Sequence, residues 1–223
     1  PVFDDEKNFS GIVIALDDLS KINKVKSTFK KYVSKNIVDK LLESEDSLNL
    51  GGTESDVTIL FSDIRGFTSM SEKLSPTQIV KLLNKYFQSM INVVFKYNGT
   101  LDKIVGDELM VLYGVPLKNP EDTDNSVKTA IEMFVQLDKF NERIVKDGFK
   151  PFKIGIGINK GKAVSGNIGS EQQMNYTVIG DTINLGARLC SSAKSGEILI
   201  SRAVKENISD KYDFKQVPSI EVK

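Results

Sequence analysis

The sequence contains no histidine and a single cysteine among its 223 residues. Without histidine the chain cannot use Ser-His-Asp catalysis, a histidine general base or histidine-ligated zinc. Any metal ion must therefore be held by oxygen ligands, which favours magnesium, manganese or calcium. Cys190 cannot form an internal disulfide, so we interpret it as a small packing residue and predict a reducing, cytoplasmic compartment.

An excess of charge of either sign is also lacking, because 30 basic residues balance 30 acidic ones. No overall field favours nucleic acid or an anionic membrane as a partner. No apolar run approaches the roughly 18 residues of a membrane span, so we expect membrane attachment, if there is any, only through upstream regions. The composition is 40% hydrophobic and 27% charged, which is typical of one large soluble domain with a short appendage.

The N-terminal fifth of the chain predicts a strand and then a helix. Residues 10–17, "SGIVIALD", have strand character. Apolar side chains then recur at helical spacing with lysines on the other face: Leu19, Ile22, Val25, Phe29 and Val33. So narrow a stripe favours pairing with a second copy in a coiled coil over docking on the helix's own domain. Ser34 is a candidate cap for a second short helix through Leu42, and residues 49–56, "NLGGTESD", are interpreted as a loop.

From Val57 onward, strands and helices alternate. A capping box with proline, Ser75-Pro76-Thr77-Gln78, opens a long helix that Asn98-Gly99 ends. Glycine at the first position of Gly106-Asp107 suits a type II′ hairpin. The remaining predicted elements are a strand at Val57–Ser62, a helix from about Asp122 to Val145, and a hairpin turning at Asn159–Gly161. The order β-α-β-β-α-β predicts an α+β, ferredoxin-like fold.

The glycines of "GIGINKGKA" do not form a phosphate-binding loop. Their spacing differs from G-x-x-x-x-G-K-[ST], and no helix is predicted directly after them. We interpret them as positions of close sheet packing and of the turn.

Two aspartates are the first candidate site. Asp63 ends the first core strand, and Asp107 lies in the hairpin between the second and third strands. The first and third strands are neighbours in a split βαβ sheet, so the two carboxylates are expected to converge. Their mutual repulsion would be relieved by a divalent cation, which also binds phosphate oxygens. Glu108 is a possible further ligand, although we expect it to face away.

A possible phosphate loop follows Asp63. Arg65-Gly66-Phe67-Thr68 offers backbone amides and a cation to an anionic ligand. Further along, "YTVIGDTINLGARL" predicts a helix capped by Asp181 or Thr182. Asn184 and Arg188 lie four residues apart on one face of this helix. Such a pair suits the stabilisation of charge on a reacting phosphoryl group, with an ordinary surface pair as the alternative.

Three segments together carry a family resemblance. "FSDIRGFT", "LDKIVGDELM" and "YTVIGDTINLGARL" resemble the signature segments of the class III nucleotidyl cyclase catalytic domain, from about Val57 to Lys223. The resemblance implies that Asp63 and Asp107, assisted by the Ile64 carbonyl, bind two Mg²⁺ or Mn²⁺ ions. It further implies that Asn184 positions the ribose and that Arg188 stabilises charge at the α-phosphate.

The resemblance also implies how the purine is read. Lys103 and Thr177 occupy the base-reading positions, where guanylyl cyclases have a glutamate and a cysteine. Lysine donates to adenine N1, and a threonine hydroxyl can accept from the N6 amine, whereas guanine N1–H would face lysine donor against donor. We therefore expect ATP to be converted to cyclic AMP and pyrophosphate. Lys223 matches a late phosphate-binding lysine of the family, although the usual closing strand after it is missing.

The family site lies between two chains, so the resemblance implies a homodimer through the catalytic domain and the linker helix. One protomer would supply the aspartates, and the other would supply Lys103, Thr177, Asn184 and Arg188. The implied organisation is a remnant sensor strand of PAS type at 1–18, a coiled linker at 19–50 and the catalytic domain at 51–223.

Four alternatives stay open. They are a guanylate cyclase, a catalytically silent nucleotide-binding regulatory module, a structural dimerisation domain, and a diguanylate cyclase or polymerase-like palm. The last is disfavoured because "VGDEL" lacks the double glycine of GGDEF-type signatures.

Overall fold

The computed structural model describes residues 2–3, 5–11, 20–29, 37–38, 49–208 and 212–218, which fall into two compact units, Pro1–Val33 and Ser34–Lys223. In the first unit, β1 (Val2–Phe3) pairs antiparallel with β2 (Phe9–Gly11), and α1 covers Ser20–Phe29. The predicted strand at 10–17 is described only as far as residue 11. The predicted helix over 19–33 is described over α1, and of the predicted Ser34–Leu42 helix only residues 37 and 38 are described, both helical. Coiled-coil pairing stays a prediction.

The second unit alternates strands and helices from residue 51. Its elements are β3 (Gly51–Ile64), α2 (Phe67–Ser71), α3 (Pro76–Lys96), β4 (Thr100–Val105), β5 (Glu108–Tyr113), α4 (Asp122–Lys146), β6 (Ile154–Ser170), β7 (Gln173–Ile179), α5 (Asp181–Ser192), β8 (Ile198–Ile200) and α6 (Arg202–Lys205). No helix within the described ranges is long and apolar enough to cross a membrane.

The sheet has the strand order β4-β5-β3-β6-β7, and β8 pairs parallel with β6. All the other pairings in this sheet are antiparallel. Counted from β3, its first four strands lie in the order second, third, first, fourth, which is the split βαβ arrangement. The predicted ferredoxin-like α+β fold is confirmed.

Alternation along the central strands separates two apolar layers. On β3, Leu60 and Ile64 join the core formed with α3 and α4, whereas Ile59 and Phe61 join the smaller core with α5 on the opposite face. Such a period of two is the side-chain period of a strand buried on both faces. The larger core holds three mutually contacting rings with centroids 5.3–5.8 Å apart: Tyr86, Phe140 and Phe152.

The predicted start and stop signals of the long helix are confirmed. Ser75 Oγ accepts a hydrogen bond from the Gln78 amide at 3.3 Å, and the Ser75 amide donates to Gln78 Oε1 at 3.0 Å. Asn98 has a positive φ of 58°, and the amide of Gly99 bonds back to the carbonyl of Val94 at 2.9 Å. The reciprocal cap and the left-handed residue together fix both ends of α3.

Two loop predictions are wrong. Residues 51–56, predicted to be a loop, are the start of β3, and the predicted turn at Asn159–Gly161 lies inside β6. These two strands pair without a break from Gly51↔Asn167 to Ile64↔Ile154, and the turn after β6 comes at residues 171–172.

The glycines of β6 reflect helix packing instead of a turn. A Cβ on Gly157 would lie 2.1 Å from the Cys190 backbone nitrogen in α5, and one on Gly161 would lie 2.7 Å from Thr182 Oγ1. The predicted close packing at these glycines is confirmed. Cys190 is fully buried, as predicted for a packing residue, and burial raises the pKa of its thiol to about 12.

Candidate active site

The two predicted metal-binding carboxylates lie at the same edge of the fold. Asp63 is the penultimate residue of β3, and Asp107 lies in the two-residue turn between β4 and β5. Gly106 opens this turn with φ 63°, as the predicted hairpin requires. Because β5 pairs with β3, Asp107 Oδ2 reaches the end of β3 and accepts a hydrogen bond from the Ile64 amide at 3.2 Å.

Electrostatics at this edge favour a bound cation. Burial, and after it the charge of Asp63, together raise the pKa of Asp107 to about 6. Burial, Asp63 and Asp107 also raise the pKa of Glu108. Within the described ranges no cluster of three or more His, Cys, Asp or Glu forms a ready metal site. Asp63 and Asp107 could hold a divalent ion only if backbone, water or phosphate oxygens complete its coordination.

Arg65 takes a different position from the one predicted. Its Nη1 forms an ion pair with Asp63 Oδ2 at 2.7 Å, and its Nη2 donates to the Cys190 carbonyl. The side chain is 20% exposed and lies over Gly155 of β6. The guanidinium thus balances the charge of Asp63 and does not point along the predicted phosphate loop.

The rest of the predicted phosphate loop opens the short helix α2. Gly66 has φ 72° and precedes the helix without a side-chain cap. Phe67 packs its ring against the larger core, and Thr68 is exposed. Any contact of Phe67 with a ligand would therefore be made by its backbone.

The two predicted base-reading residues meet within one chain, although β4 and β7 lie at opposite ends of the strand order. Lys103 Nζ donates to Thr177 Oγ1 at 3.2 Å. Sequence reasoning missed a third member, Asp102, whose Oδ2 accepts from Thr177 Oγ1 at 3.1 Å and lies 3.0 Å from Lys103 Nζ. The Asp102 side chain is fully buried, and Asp102 lies at a register shift between Leu101 and Lys103. Its only sequence signal was its position beside Lys103.

Helix α5 carries the predicted Asn184 and Arg188, but its cap differs from the prediction. Gly180 is the N-cap residue, and neither Asp181 nor Thr182 caps the helix with a side chain. Thr182 Oγ1 instead donates to the Lys162 carbonyl of β6 at 2.6 Å, and this hydrogen bond connects the start of the helix to the strand.

The side chains of Asn184 and Arg188 are available to a ligand. Asn184 is exposed and Arg188 is half-buried. Across the described part of the chain, neither makes a hydrogen bond or ion pair with another side chain. Lys223, the remaining predicted phosphate ligand, lies outside the described residues.

The sequence of this chain is similar to those of nucleotide-cyclising enzymes. The family model described as "Adenylate and Guanylate cyclase catalytic domain" matches residues 52–223. Adenylate cyclase 1 of Rhizobium meliloti is 30% identical over 88% of the chain, and adenylate cyclase of Anabaena cylindrica is 33% identical over 85%. The matches cover 30% and 38% of those proteins, so the chain spans about a third of their length.

Solved structures of both nucleotide specificities are similar to this fold. The guanylyl cyclase Cya2 superposes with a TM-score of 0.75 and 39% identity, covering 78% of this chain and 88% of that one. The adenylyl cyclase CyaB from P. aeruginosa gives 0.70 and 39%, covering 73% of this chain and 84% of that one. Overall similarity therefore does not distinguish adenine from guanine specificity.

Proposed function

The chain belongs to the family of adenylate and guanylate cyclase catalytic domains, and we propose that it is an adenylate cyclase that converts ATP to 3′,5′-cyclic AMP and pyrophosphate. One observation carries the choice of base, namely the 3.2 Å contact between Lys103 Nζ and Thr177 Oγ1. An ammonium donor beside a hydroxyl acceptor matches adenine, which offers an acceptor at N1 and a donor at N6. Guanine instead has a donor at N1 and an acceptor at O6, so it matches neither side chain.

A guanylate cyclase is the second candidate, and the similarity to guanylyl cyclase Cya2 supports it. For that activity Lys103 would have to face guanine N1–H, donor against donor. A silent nucleotide-binding module is the third, and it requires that the site bind ATP without turnover.

The metal ligands of the proposal are Asp63 and Asp107, assisted by the Ile64 carbonyl. Their convergence and the raised pKa of Asp107 support this assignment, because both indicate excess negative charge at the end of β3. Two Mg²⁺ or Mn²⁺ ions, when bound, would supply Lewis-acid activation of the ribose 3′-hydroxyl and neutralise the triphosphate. Arg65 would have to share Asp63 with an incoming ion.

The remaining roles belong to α5 and α2. Arg188 would stabilise charge at the α-phosphate, and Asn184, one helical turn away, would hold the ribose. Their lack of intramolecular partners in the described part of the chain leaves their donors available. The amides of Gly66, Phe67 and Thr68, and Lys223, would contact the phosphates.

We propose that the active form is a homodimer whose two sites each combine residues of both chains. Exposed apolar side chains on β4, which carries Lys103, on β7, which carries Thr177, and on the neighbouring β6 support an interface there. They are Ile104, Val105, Val164, Met174 and Ile179, which are 37–59% exposed. The helix within the proposed linker, 19–50, would join the two protomers, and residues 1–18 would be the end of an upstream sensor domain.

The test is product formation from ATP and from GTP with Mn²⁺ over a protein dilution series, with Asp63→Ala as the inactive control. We expect cyclic AMP, a specific activity that falls on dilution, and loss of product in the variant. Cyclic GMP as the main product would favour the second candidate. Metal-dependent ATP binding without any product would favour the silent module.

A further inference from the structure

Asp102 is buried beside the proposed base-reading pair, and neither the family resemblance nor the comparisons assign it a role. We propose that Asp102 is a positioning residue that makes the Thr177 hydroxyl an obligate hydrogen-bond acceptor and thereby sets the preference for a 6-amino purine. This inference rests on the proposed function and assigns base selectivity within that same site to a residue that does not itself contact the nucleotide.

The geometry begins with an irregularity in β4. Leu101 pairs with Val111 and Lys103 pairs with Met110, so Asp102 has no partner residue on β5. A bulge of this kind leaves one residue unpaired and redirects the neighbouring side chains. Asp102 and Lys103, which regular pleating would send to opposite faces, thereby approach to 3.0 Å.

The hydrogen bonds of Thr177 then have only one consistent direction. The carboxylate of Asp102 accepts and cannot donate, whereas the ammonium of Lys103 donates and cannot accept. The single hydroxyl proton of Thr177 must therefore point to Asp102 Oδ2, 3.1 Å away. The lone pairs of Thr177 Oγ1 face Lys103 Nζ and any ligand that binds beside it.

An acceptor fixed in this way discriminates between purines. The 6-amino group of adenine donates to Thr177, whereas O6 of guanine would meet it acceptor against acceptor. A free hydroxyl could rotate and donate to O6, so threonine alone would discriminate poorly. Leaving this buried polar contact unpaired should weaken the binding of guanine relative to adenine by roughly tenfold to a hundredfold.

Burial makes the action of Asp102 indirect. Its side chain is 0% exposed, so it does not touch a base in this conformation. Its second oxygen, Oδ1, has no hydrogen-bond partner in the described part of the chain. Its other oxygen, Oδ2, contacts both Thr177 Oγ1, at 3.1 Å, and Lys103 Nζ, at 3.0 Å.

The experiment compares kcat/KM for ATP, GTP and purine riboside triphosphate, which is ATP without the 6-amino group. In the wild type we expect ATP to be preferred over the deaminated analogue by about tenfold. In Asp102→Ala the ATP-to-GTP ratio should fall by about tenfold, because the freed hydroxyl of Thr177 can donate to O6 of guanine. The ATP-to-analogue ratio should change less, because the same hydroxyl can still accept from the 6-amino group. The ratios of the isosteric Asp102→Asn should lie between those of the wild type and of Asp102→Ala, because its amide can donate as well as accept. Glu54→Gln, an exposed carboxylate paired with Lys162 at 2.6 Å, is the control expected to keep all ratios.

Unchanged nucleotide ratios in folded Asp102→Ala and Asp102→Asn, with turnover of all three nucleotides lowered equally, would overturn the inference and leave Asp102 a structural residue. Failure of the proposed function is recognised separately, because the wild type would then form no cyclic nucleotide. The same ratios, taken from dissociation constants in equilibrium binding, would in that case decide the role of Asp102.

Discussion

Replacing Asp107 with asparagine should stabilise the metal-free protein while removing its response to metal. The pKa of Asp107 is raised from 3.8 to about 6 by burial and by Asp63, so its charge opposes folding. The full shift corresponds to about 3 kcal/mol. Because the carboxylate is partly exposed, solvent screening reduces the expected gain for Asp107→Asn to about 1 kcal/mol, or roughly 2–4 °C in Tm. Asparagine retains an oxygen that can accept from the Ile64 amide.

The pH dependence gives the sharper test. The folded protein holds the Asp107 proton more tightly than the unfolded chain, so stability falls as the pH rises between the two pKa values, about 4 and about 6. The advantage of Asp107→Asn should be complete at about pH 8 and vanish at about pH 4.

The assay is thermal unfolding in chelator across that range, followed by titration with Mg²⁺ or Mn²⁺. The wild type should gain stability with metal and the variant should not. The control is Asp147→Asn, an exposed carboxylate 3.5 Å from Lys85, which should change stability by less than about 0.5 kcal/mol. A variant less stable than the wild type at about pH 8 without metal would refute the assumed repulsion.

Three further outcomes follow from the packing and from the proposed site. Gly157→Ala should lower the free energy of unfolding by about 3 kcal/mol in urea denaturation, because the added Cβ would meet backbone atoms of Cys190 and Gly186. An unchanged urea midpoint would contradict the close contact of α5 with β6. Arg188→Ala should lower kcat by about a hundredfold or more with a smaller change in KM, since its proposed role is in the transition state. A change in KM alone would indicate ground-state binding. Mixing inactive Asp63→Ala with inactive Arg188→Ala should restore about a quarter of wild-type activity, because half of the dimers contain one intact site; no restoration would mean that both residues act within one chain.

Local sequence chemistry was sufficient for most of the fold. The capping box at Ser75, the left-handed stop at Asn98-Gly99 and the two-residue turn at Gly106 each act through bonds to residues close in sequence. Their order along the chain then restricted the topology to the split βαβ arrangement. The two wrong loop predictions rested on glycines, whose presence is ambiguous. Glycine permits a turn, and it equally permits a helix to approach a strand, as Gly157 does.

The candidate site also has parts that the sequence predicted and parts that only the tertiary structure decided. The sequence by itself predicted that any metal would have oxygen ligands, that Asp63 and Asp107 lie at neighbouring strand ends, and that Asn184 and Arg188 lie four residues apart on one helix. Only the tertiary structure decided that Arg65 turns onto Asp63, and that Asp102 joins Lys103 to Thr177 across 75 residues of chain. The physical reason is that a strand bulge and the approach of two distant strands depend on packing over the whole sheet, and no local pattern in the sequence records either one.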